Sequence, residues 1–447
     1  HGLATLGVEE LGADWSQSDV TGAAGNTQLY GNILGGGAVQ GTGGSTSIAT
    51  SFDRYRQAGA TAREMLIAAA AETWGVAASG ITASGGKLTD AAGNTASFGD
   101  MAAKAATMPL PQEVKLKDAS EWTQIGNEQL RRFDSAAKAN GTHDFTIDIK
   151  LDGMLTAVVA HPPKFGAKVK SFDAAETLKV RGVTDVVEIP RGVAVVAEHM
   201  WAAIKGREAL TVEWDEAQAE TRGSAEIMAE YKASTGEAQQ ATARSEGDTA
   251  SALASAAKVI EATYEFPYLA HAAMEPLNAV ARRNADGTLE VWGGHQIPDL
   301  YQGISAKIAG VKPEQVTMHV MTTGGGFGRR AVADGDVVAE AVSVAKAIDY
   351  KAPVKVQWTR EDDMRGGRYR PAYVHSFKAG LDEDNKLIAW HNHIVGQSIV
   401  SGTPFEGLIK DGVDKTSVEG ASNIPYGIQN INVGLTTTDV KVPVLWW

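Results

Sequence analysis

Apolar and polar residues alternate immediately before a glycine-rich stretch in the last third of the chain. Val316, Met318 and Val320 recur with a period of two residues, which predicts a β-strand. From Asp336 to Asp349 the apolar positions recur three and four residues apart, which predicts a helix. The stretch Thr322–Arg330, with the sequence TTGGGFGRR, therefore connects a strand to a helix.

The same two periods predict elements along the rest of the chain. The longest helical pattern ends at Trp74, and Gly59 interrupts its apolar stripe at a position where close packing is expected. Alternation predicts a strand over Phe145–Leu151, a hairpin turn at Asp152-Gly153 and a returning strand over Leu155–His161. Further strands are predicted at 183–189, 193–197, 210–214, 259–266, 289–292, 354–358, 373–378 and 387–395, and further helices at 1–14, 201–209 and around 300–308. This mixture predicts an α+β fold.

Composition narrows the classes of protein. A chain of 447 residues is too long for one compact domain. We expect three segments, which comprise residues 1–120, 121–215 and 216–447. The net charge of −13 argues against nucleic acid as a partner. The chain has no cysteine, so its own thiolates cannot form a disulfide or hold an iron–sulfur cluster. No apolar run reaches the length of about 20 residues that a membrane span needs.

The glycine-rich stretch has the residue types of a ligand-binding loop. Glycines permit positive φ and close approach of the backbone to a ligand, and amides before a helix favour anions. Arg329 and Arg330 add charge suited to phosphate, and Phe327 is placed to wall off a flat ligand. A glycine-rich turn with a buried Phe is the simpler alternative. The stretch is neither the dinucleotide G-x-G-x-x-G motif nor a Walker A motif.

A second glycine-rich stretch precedes the longest predicted helix. Gly43-Gly44-Ser45-Thr46-Ser47 supplies hydroxyl residues that are typical of an N-cap. Glycines and hydroxyls at a helix N-terminus also suit an anion or pterin cradle. Both interpretations stay open on the residues alone.

These motifs resemble a known family. Gly-Gly-Gly-Phe-Gly after a strand, followed by Trp358-Thr-Arg-Glu-Asp-Asp-Met364 after the next helix, resembles the molybdenum-binding subunit of the xanthine dehydrogenase and aldehyde oxidase family. The double arginine and its surroundings are most similar to the isoquinoline 1-oxidoreductase β-subunit branch, which includes membrane-bound aldehyde dehydrogenases. The resemblance implies a multidomain molybdenum hydroxylase large-subunit architecture. In it, 1–120 is a first molybdopterin-binding segment in permuted order, 121–215 is an a/b hammerhead-like domain, and 216–447 is a second molybdopterin-binding segment that is truncated at its C-terminal end.

The resemblance also implies a site. Gln296 matches a residue that contacts an oxygen on molybdenum, and Gly326 with Phe327 matches a pair beside the metal, so Gln296 and Phe327 are the catalytic candidates. The metal is held by the pterin dithiolene, and no protein metal ligand is expected. The general-base Glu is expected beyond residue 447, and Glu275 is expected to be structural. The implied cofactor-binding residues are Gly43, Gly44, Ser45, Thr46, Ser47, Gly324, Gly325, Gly326, Phe327, Gly328, Arg329 and Arg330.

The implied activity is oxidation of an aromatic N-heterocycle or an aldehyde with oxygen derived from water. The implied cofactor is molybdopterin cytosine dinucleotide with molybdenum. The implied partners are a small iron–sulfur subunit and, at the membrane, a cytochrome c subunit that carries haem. Arg330, Ala331 and Val332 stand where purine-oxidising members carry a Glu, which argues against xanthine as the substrate. The bacterial periplasm is the expected compartment, with the cytoplasm as the alternative.

Two other classes of protein compete with this interpretation. The first is a non-enzymatic glycine-rich α+β binding or scaffold module. The second is a hydrolase, which is disfavoured because the chain contains neither G-x-S-x-G nor H-E-x-x-H. His391 and His393 share a strand face and could form a metal pair, although such positions often simply face solvent.

Overall fold

The computed structural model describes residues 1–32, 37 and 39–446, so Trp447 lies outside the described part. The chain divides into two units, which we describe separately. The first unit comprises His1–Asp144 with Ile297–Asp299, and the second comprises Phe145–Gln296 with Leu300–Trp447. The predicted borders at 120 and 215 stay a prediction.

Helices and strands alternate irregularly along the described residues, which confirms the mixed α and β character. The helices are α1 Gly2–Leu11, α2 Thr27–Tyr30, α3 Thr46–Trp74, α4 Phe98–Ala105, α5 Ser135–Asn140, α6 Met200–Glu208, α7 Ser224–Ser234, α8 Thr249–Ala254, α9 Pro298–Ala309, α10 Asp336–Ala347 and α11 Arg360–Arg365. The strands are β1 Ile81–Ser84, β2 Lys87–Asp90, β3 Thr95–Ser97, β4 Leu155–Ala160, β5 Lys168–Asp173, β6 Val183–Ile189, β7 Gly192–Ala197, β8 Thr211–Asp215, β9 Ala241–Glu246, β10 Lys258–Phe266, β11 Asn278–Arg283, β12 Leu289–Gly293, β13 Val316–Val320, β14 Val354–Gln357, β15 Tyr373–Leu381, β16 Leu387–Gly396 and β17 Asn430–Thr437.

The first unit is built on the long helix α3. Gly59 allows α1 to approach α3 closely, because a Cβ at this position would lie 2.2 Å from the carbonyl oxygen of Gly7. The predicted role of Gly59 in close packing is therefore confirmed. The sheet β1-β2-β3 and helix α4 cover another part of α3, with Leu66 and Leu88 in the shared core.

Two buried glutamates of α1 hold the segment that follows the first unit's small sheet. Glu9 Oε2 accepts hydrogen bonds from the backbone N–H groups of Thr123, Gln124 and Ile125 at 2.9, 2.6 and 3.1 Å. Glu10 accepts the backbone N–H of Lys117, also through Oε2, at 3.0 Å. Burial of these carboxylates is tolerated because each is hydrogen-bonded and paired with a cation. The segment predicted to lead into a linker is thus attached to α1.

A seven-stranded sheet carries the main core of the second unit. Its strand order is β13-β12-β11-β14-β4-β7-β6. Helix α10 packs on this sheet through apolar residues that include Val338 and Val342. β12 and β13 run parallel, whereas β11 is antiparallel to both of its neighbours. The strands come from both sides of residue 215, because β4, β6 and β7 join the same sheet as β11 to β14.

A second sheet has the strand order β10-β15-β16-β17-β9. Its alternating pattern buries Ile394, Ile431 and Leu435 in one core cluster and Val374 with Val395 in another. β5 and β8 form a separate two-stranded pair. The predicted strands of this region are confirmed, with ends that differ by up to three residues.

The prediction of a strand over Phe145–Leu151 is wrong. The residues Thr146–Asp148 form one turn of 3-10 helix instead. The backbone N–H of Ile147 donates to the Glu275 carboxylate at 3.0 Å, and that of Thr146 donates to the Thr322 carbonyl at 3.3 Å. These donors are therefore engaged by distant residues rather than by a neighbouring strand. The returning strand is present as β4.

Among the described residues, none of the helices combines the length and the apolar character that crossing a bilayer requires.

Candidate functional site

The glycine-rich stretch Thr322–Arg330 begins just after the carboxyl end of β13, a strand of the seven-stranded sheet. β12 and β13 are parallel neighbours, with Gly293 opposite Val320. The segments that follow these two strands therefore leave the sheet side by side, at the carboxyl ends of the strands. The N–H of Met321 donates to the Gly293 carbonyl at 2.9 Å, which keeps the two segments adjacent. The carboxyl ends of parallel strands are a common location for ligand sites.

Gln296 follows β12 and is hydrogen-bonded twice to the glycine-rich stretch. Its backbone N–H donates to the Arg330 carbonyl at 3.0 Å, and its side-chain Oε1 accepts the Arg330 N–H at 3.2 Å. A Cβ added at Gly326 would lie only 2.9 Å from Gln296 Oε1. The structure therefore brings together two of the predicted site residues, Gln296 and Gly326, and leaves no room for a side chain between them.

The backbone of the stretch adopts conformations that favour glycine. Gly325 has a φ of 107° and Gly328 a φ of 87°, which residues with a Cβ rarely adopt. Phe327 has a φ of 51°, a conformation that costs a non-glycine residue about 1–2 kcal/mol. Its side chain is 57% exposed, so burial of the ring does not compensate for this strain. The alternative in which Phe327 is a core residue is wrong.

The amides at the centre of this turn are not used in hydrogen bonds within the described protein. Within the part of the chain that the structure describes, the N–H groups of Gly325, Gly326, Phe327 and Gly328 donate to no protein acceptor. The three glycines at 324–326 are half-buried rather than sealed in the core. Successive unengaged amides in a turn that contains positive φ angles form the type of concavity that binds anions and other acceptors.

Glu275 fixes the start of the turn. Its Oε2 accepts the Gly324 N–H at 2.6 Å and the Thr323 hydroxyl at 2.8 Å. Its Oε1 accepts the Ile147 N–H at 3.0 Å and the Asn278 side-chain amide at 2.9 Å. The Glu275 side chain is almost fully buried, and these donors compensate for the loss of hydration. Its predicted structural role, as an acceptor of backbone hydrogen bonds, is confirmed.

Both arginines of the stretch are buried, with 3% and 5% of Arg329 and Arg330 exposed. Arg330 donates to the carbonyls of Gly325 at 3.0 Å and Glu275 at 3.1 Å. Burial lowers the pKa of Arg330, and the nearby Glu275 carboxylate opposes this effect. The guanidinium thus supports the turn from inside the unit. Its predicted contact with a phosphate stays a prediction.

Arg329 forms an ion pair with the buried Asp336, with 2.7 Å between Nη1 and Oδ2. Burial by itself would raise the pKa of Asp336, but Arg329, Arg191 and Arg368 hold it at about 2. Asp336 is also the first residue of α10, and its Oδ1 accepts the N–H of Val337 at 2.7 Å. The chain's own carboxylate therefore lies at the N-terminus of α10, where the sequence favoured an anion.

Tyr301 is a further supporting residue that the sequence patterns did not indicate. Its buried hydroxyl donates to the Arg330 carbonyl at 2.9 Å and accepts the Val332 N–H at 2.8 Å. Burial raises the pKa of this phenol, which keeps it a neutral donor. Tyr301 lies within the apolar pattern of α9, where an aromatic residue that packs in the core gives the same signal.

The first unit holds the other predicted stretch, Gly43–Ser47. Gly44 and Ser45 have φ values of 59° and 54°, and Ser45 occupies the N-cap position of α3 without a side-chain cap hydrogen bond. The Thr46 hydroxyl instead donates to the Gly43 carbonyl at 2.9 Å. Ser45, one of the three residues expected to cap this helix, thus occupies the N-cap position, but its side chain does not supply a capping hydrogen bond. A cofactor-binding role for the stretch stays a prediction.

The histidine pair on β16 is engaged with polar neighbours. His391 Nδ1 lies 3.0 Å from Asn432 Oδ1, and His393 Nε2 lies 2.8 Å from Thr436 Oγ1. Burial lowers the pKa of both histidines. In the described part of the chain, no group of three or more His, Cys, Asp or Glu residues is arranged to hold a metal ion.

Comparison with known proteins shows which proteins this chain resembles. A family model described as the molybdopterin cofactor-binding domain matches residues 233–437. The match contains Glu275, Gln296 and the whole glycine-rich stretch. A solved structure, quinoline 2-oxidoreductase from Pseudomonas putida 86, matches 71% of this chain and 45% of its own, with a TM-score of 0.55 and 18% identity. The chain therefore has the multidomain α+β fold of molybdenum hydroxylase large subunits.

Two relatives match most of the chain. The isoquinoline 1-oxidoreductase β-subunit of Brevundimonas diminuta is 30% identical over 434 residues, which cover 88% of this chain and 55% of the relative. The membrane-bound aldehyde dehydrogenase (pyrroloquinoline-quinone) of Gluconacetobacter polyoxogenes is 31% identical over 426 residues, which cover 92% of this chain and 53% of the relative. The chain thus spans about half the length of these curated relatives. The chain therefore contains a molybdopterin cofactor-binding domain, and over most of its length it is similar to molybdopterin-dependent subunits of the isoquinoline 1-oxidoreductase and membrane-bound aldehyde dehydrogenase type.

Proposed function

We propose that this chain is the molybdopterin-binding part of an oxidoreductase that oxidises an aromatic N-heterocycle or an aldehyde with oxygen derived from water. The match to a molybdopterin cofactor-binding domain and the names of the two relatives support this class of reaction. The single structural observation that carries the proposal is the turn at Gly325–Gly328, whose backbone amides are unengaged. A pterin is rich in hydrogen-bond acceptors and flat, so it suits a turn that presents donors and excludes side chains.

The residues present fit such a cofactor. At Gly324 and Gly326 the backbone packs directly against two other residues of the site, since a Cβ would lie 2.6 Å from Glu275 Cβ at the first position and 2.9 Å from Gln296 Oε1 at the second. The exposed ring of Phe327 offers a flat apolar surface beside these donors. When bound, the molybdenum cofactor supplies the redox chemistry that no side chain of this chain provides.

We assign distinct tasks to the site residues. The turn at 324–328 binds the cofactor through its amides, and Gln296 orients a polar atom of the reacting centre through its neutral carboxamide. Phe327 shields the reaction from water and positions a flat substrate. Arg329 and Arg330 hold the turn in the conformation that presents its amides to the cofactor. We propose the same class of cofactor contact for Gly43–Ser47, to be tested separately, and the cytosine dinucleotide as the form of the cofactor.

In this proposal, the electrons released by oxidation of the substrate pass from this chain to another polypeptide. Oxidation of the substrate at molybdenum releases two electrons, and these 447 residues contain no cysteine that could ligate an iron–sulfur cluster. We therefore propose a small iron–sulfur subunit as the partner, with a cytochrome c subunit as a further acceptor. The periplasm is the compartment that suits such an assembly.

The experiment compares the purified wild-type protein with Gly326→Val and with Gly303→Ala as the control. Gly303 has open space around it, so its variant tests a glycine substitution without a clash. We expect molybdenum and pterin fluorescence in the wild type and in Gly303→Ala, and loss of both in Gly326→Val. Gly326→Ala should give an intermediate loss, because a single Cβ already meets Gln296.

Three outcomes would contradict the proposal. The first is a wild-type protein, purified from its source, that contains neither molybdenum nor pterin. The second is stoichiometric molybdenum in Gly326→Val, which would make the stretch an ordinary turn. The third is pyrroloquinoline quinone as the bound cofactor, which the name of one relative raises. Circular dichroism of each variant controls for misfolding.

A further inference from the structure

A second site is present in the second unit, in a cavity of about 280 Å³. The cavity is bounded by the segments around β5, by the start of β7 and by the segment that follows α11. Its volume is close to the lower limit of about 300 Å³ for small-molecule sites. The lining residues are His161, Pro162, Lys164, Phe165, Gly166, Ala167, Lys168, Val169, Pro190, Arg191, Gly192, Trp358, Arg365, Gly366, Arg368 and Pro443.

The cavity is strongly basic although the chain as a whole carries a net charge of −13. Five of the lining residues are Lys or Arg, and none of the described lining residues is acidic. Three of the five have acidic partners outside the lining. Lys164 pairs with Glu216 at 2.5 Å, and Arg191 and Arg368 both pair with Asp334.

The other two cations of the lining make no direct ion pair. Lys168 and Arg365 form no salt bridge with any residue in the described part of the chain, and both side chains are exposed. Water screens the mutual repulsion of these two exposed cations, and an anion bound between them would gain a favourable interaction with both. Guanidinium and ammonium groups together match the oxygens of a phosphate.

One wall of the cavity is apolar and firmly held. Phe165 and Pro443 contribute apolar surface. The Trp358 side chain is fixed by a hydrogen bond from its Nε1 to the buried Glu340 at 2.7 Å. Glu340 also holds His161 at 2.8 Å and Arg191 at 3.1 Å. A buried carboxylate thus fixes three residues of the lining in place, so the site is organised before any ligand arrives.

We infer that this cavity binds a small organic phosphate that is separate from the molybdenum cofactor. The phosphate group contacts Lys168 and Arg365, and the apolar part of the ligand packs against Phe165. The cavity adjoins the glycine-rich stretch through Trp358, because the guanidinium carbon of Arg329 lies 5.6 Å from the centre of that ring.

The test is calorimetric titration of the purified protein with phenyl phosphate, inorganic phosphate and benzoate. We expect phenyl phosphate to bind more tightly than inorganic phosphate, which lacks the apolar part, and than benzoate, which lacks the phosphate. Lys168→Gln and Arg365→Gln should each weaken phenyl phosphate binding about tenfold. Lys307→Gln removes the same charge from an exposed position on α9, outside this lining, and should leave binding unchanged.

Three results would overturn the inference. These are no saturable binding of phenyl phosphate, equal affinity in all four proteins, and release of pterin when phenyl phosphate is added. The last result would mean that part of the cofactor occupies the cavity. Molybdenum content, measured in the same samples, should be unchanged in Lys168→Gln and Arg365→Gln. Loss of molybdenum from the wild type would count against the proposed function and not against this site.

Discussion

Replacing Glu275 by Gln is the most direct test of how the glycine-rich turn is held. The substitution keeps the size of the side chain and converts one carboxylate oxygen into an NH2 group. Each oxygen of Glu275 accepts two hydrogen bonds, and one donor on each side is a backbone N–H that cannot reverse its role, from Gly324 at 2.6 Å and from Ile147 at 3.0 Å. Whichever way the new amide is oriented, one backbone donor faces another donor.

The expected loss follows from these contacts. A hydrogen bond to a charged group contributes about 1.5–3 kcal/mol, and a buried donor left without an acceptor adds a penalty of similar size. The variant also removes the negative charge that lies 3.7 Å from the buried Arg330, and breaking a buried ion pair costs about 3–5 kcal/mol. Because these effects share the same atoms, they do not add fully. We expect the opening free energy of the turn to fall by about 3–5 kcal/mol.

Hydrogen exchange followed by mass spectrometry measures this loss locally. The hydrogen-bonded amides of Gly324, Arg329 and Arg330, resolved within a peptide that covers 322–330, should exchange at least about a hundredfold faster in Glu275→Gln. Glu261→Gln is the matched control, because Glu261 is exposed and pairs with Lys378 at 3.0 Å. That control should change stability by no more than about 1 kcal/mol. Equal exchange in the two variants would refute the assignment of Glu275 as the residue that holds the turn.

Three further predictions follow from the same contacts. Gln296→Ala should lower kcat about 10²–10³-fold with molybdenum content unchanged, if its amide is a preorganised donor to the reacting centre; unaltered kinetics in a fully loaded protein would remove Gln296 from the site. Phe327→Ala should raise KM for an aromatic substrate while the free energy of unfolding changes by less than about 0.5 kcal/mol, because the ring is exposed; a large loss of stability would show that the ring packs inside. Burial lowers the pKa of His295 from 6.5 to about 3, so below about pH 6.5 the unfolded chain binds a proton that the folded chain does not. Stability should therefore fall on acidification by up to about 1.4 kcal/mol per pH unit, and urea titrations of His295→Gln at about pH 6 and pH 4 should show a shallower dependence.

The elements around the site were predictable from local patterns. The strand Val316–Val320 and the start of the helix at Asp336 were both confirmed, because alternation and helical spacing each report which face of a segment is buried. The glycine run indicated a turn with close backbone approach, and the positive φ of Gly325 and Gly328 confirms that requirement. The motifs on either side of α10 indicated molybdopterin-binding proteins, which the comparisons also match.

The contacts that give the turn its chemistry were decided by tertiary structure. Alternation over Phe145–Leu151 predicted a strand, yet the backbone there donates to Glu275, 128 positions from Ile147 in the chain. A hydrophobic period records only which side chains are apolar, and it is silent on which distant acceptor will take a backbone donor. The two arginines are a second case. Their charge indicated phosphate, but the fold places Glu275 and Asp336 beside them. A buried guanidinium must be paired, so the packing of the second unit, and not the residue type, determines which charges remain available to a ligand.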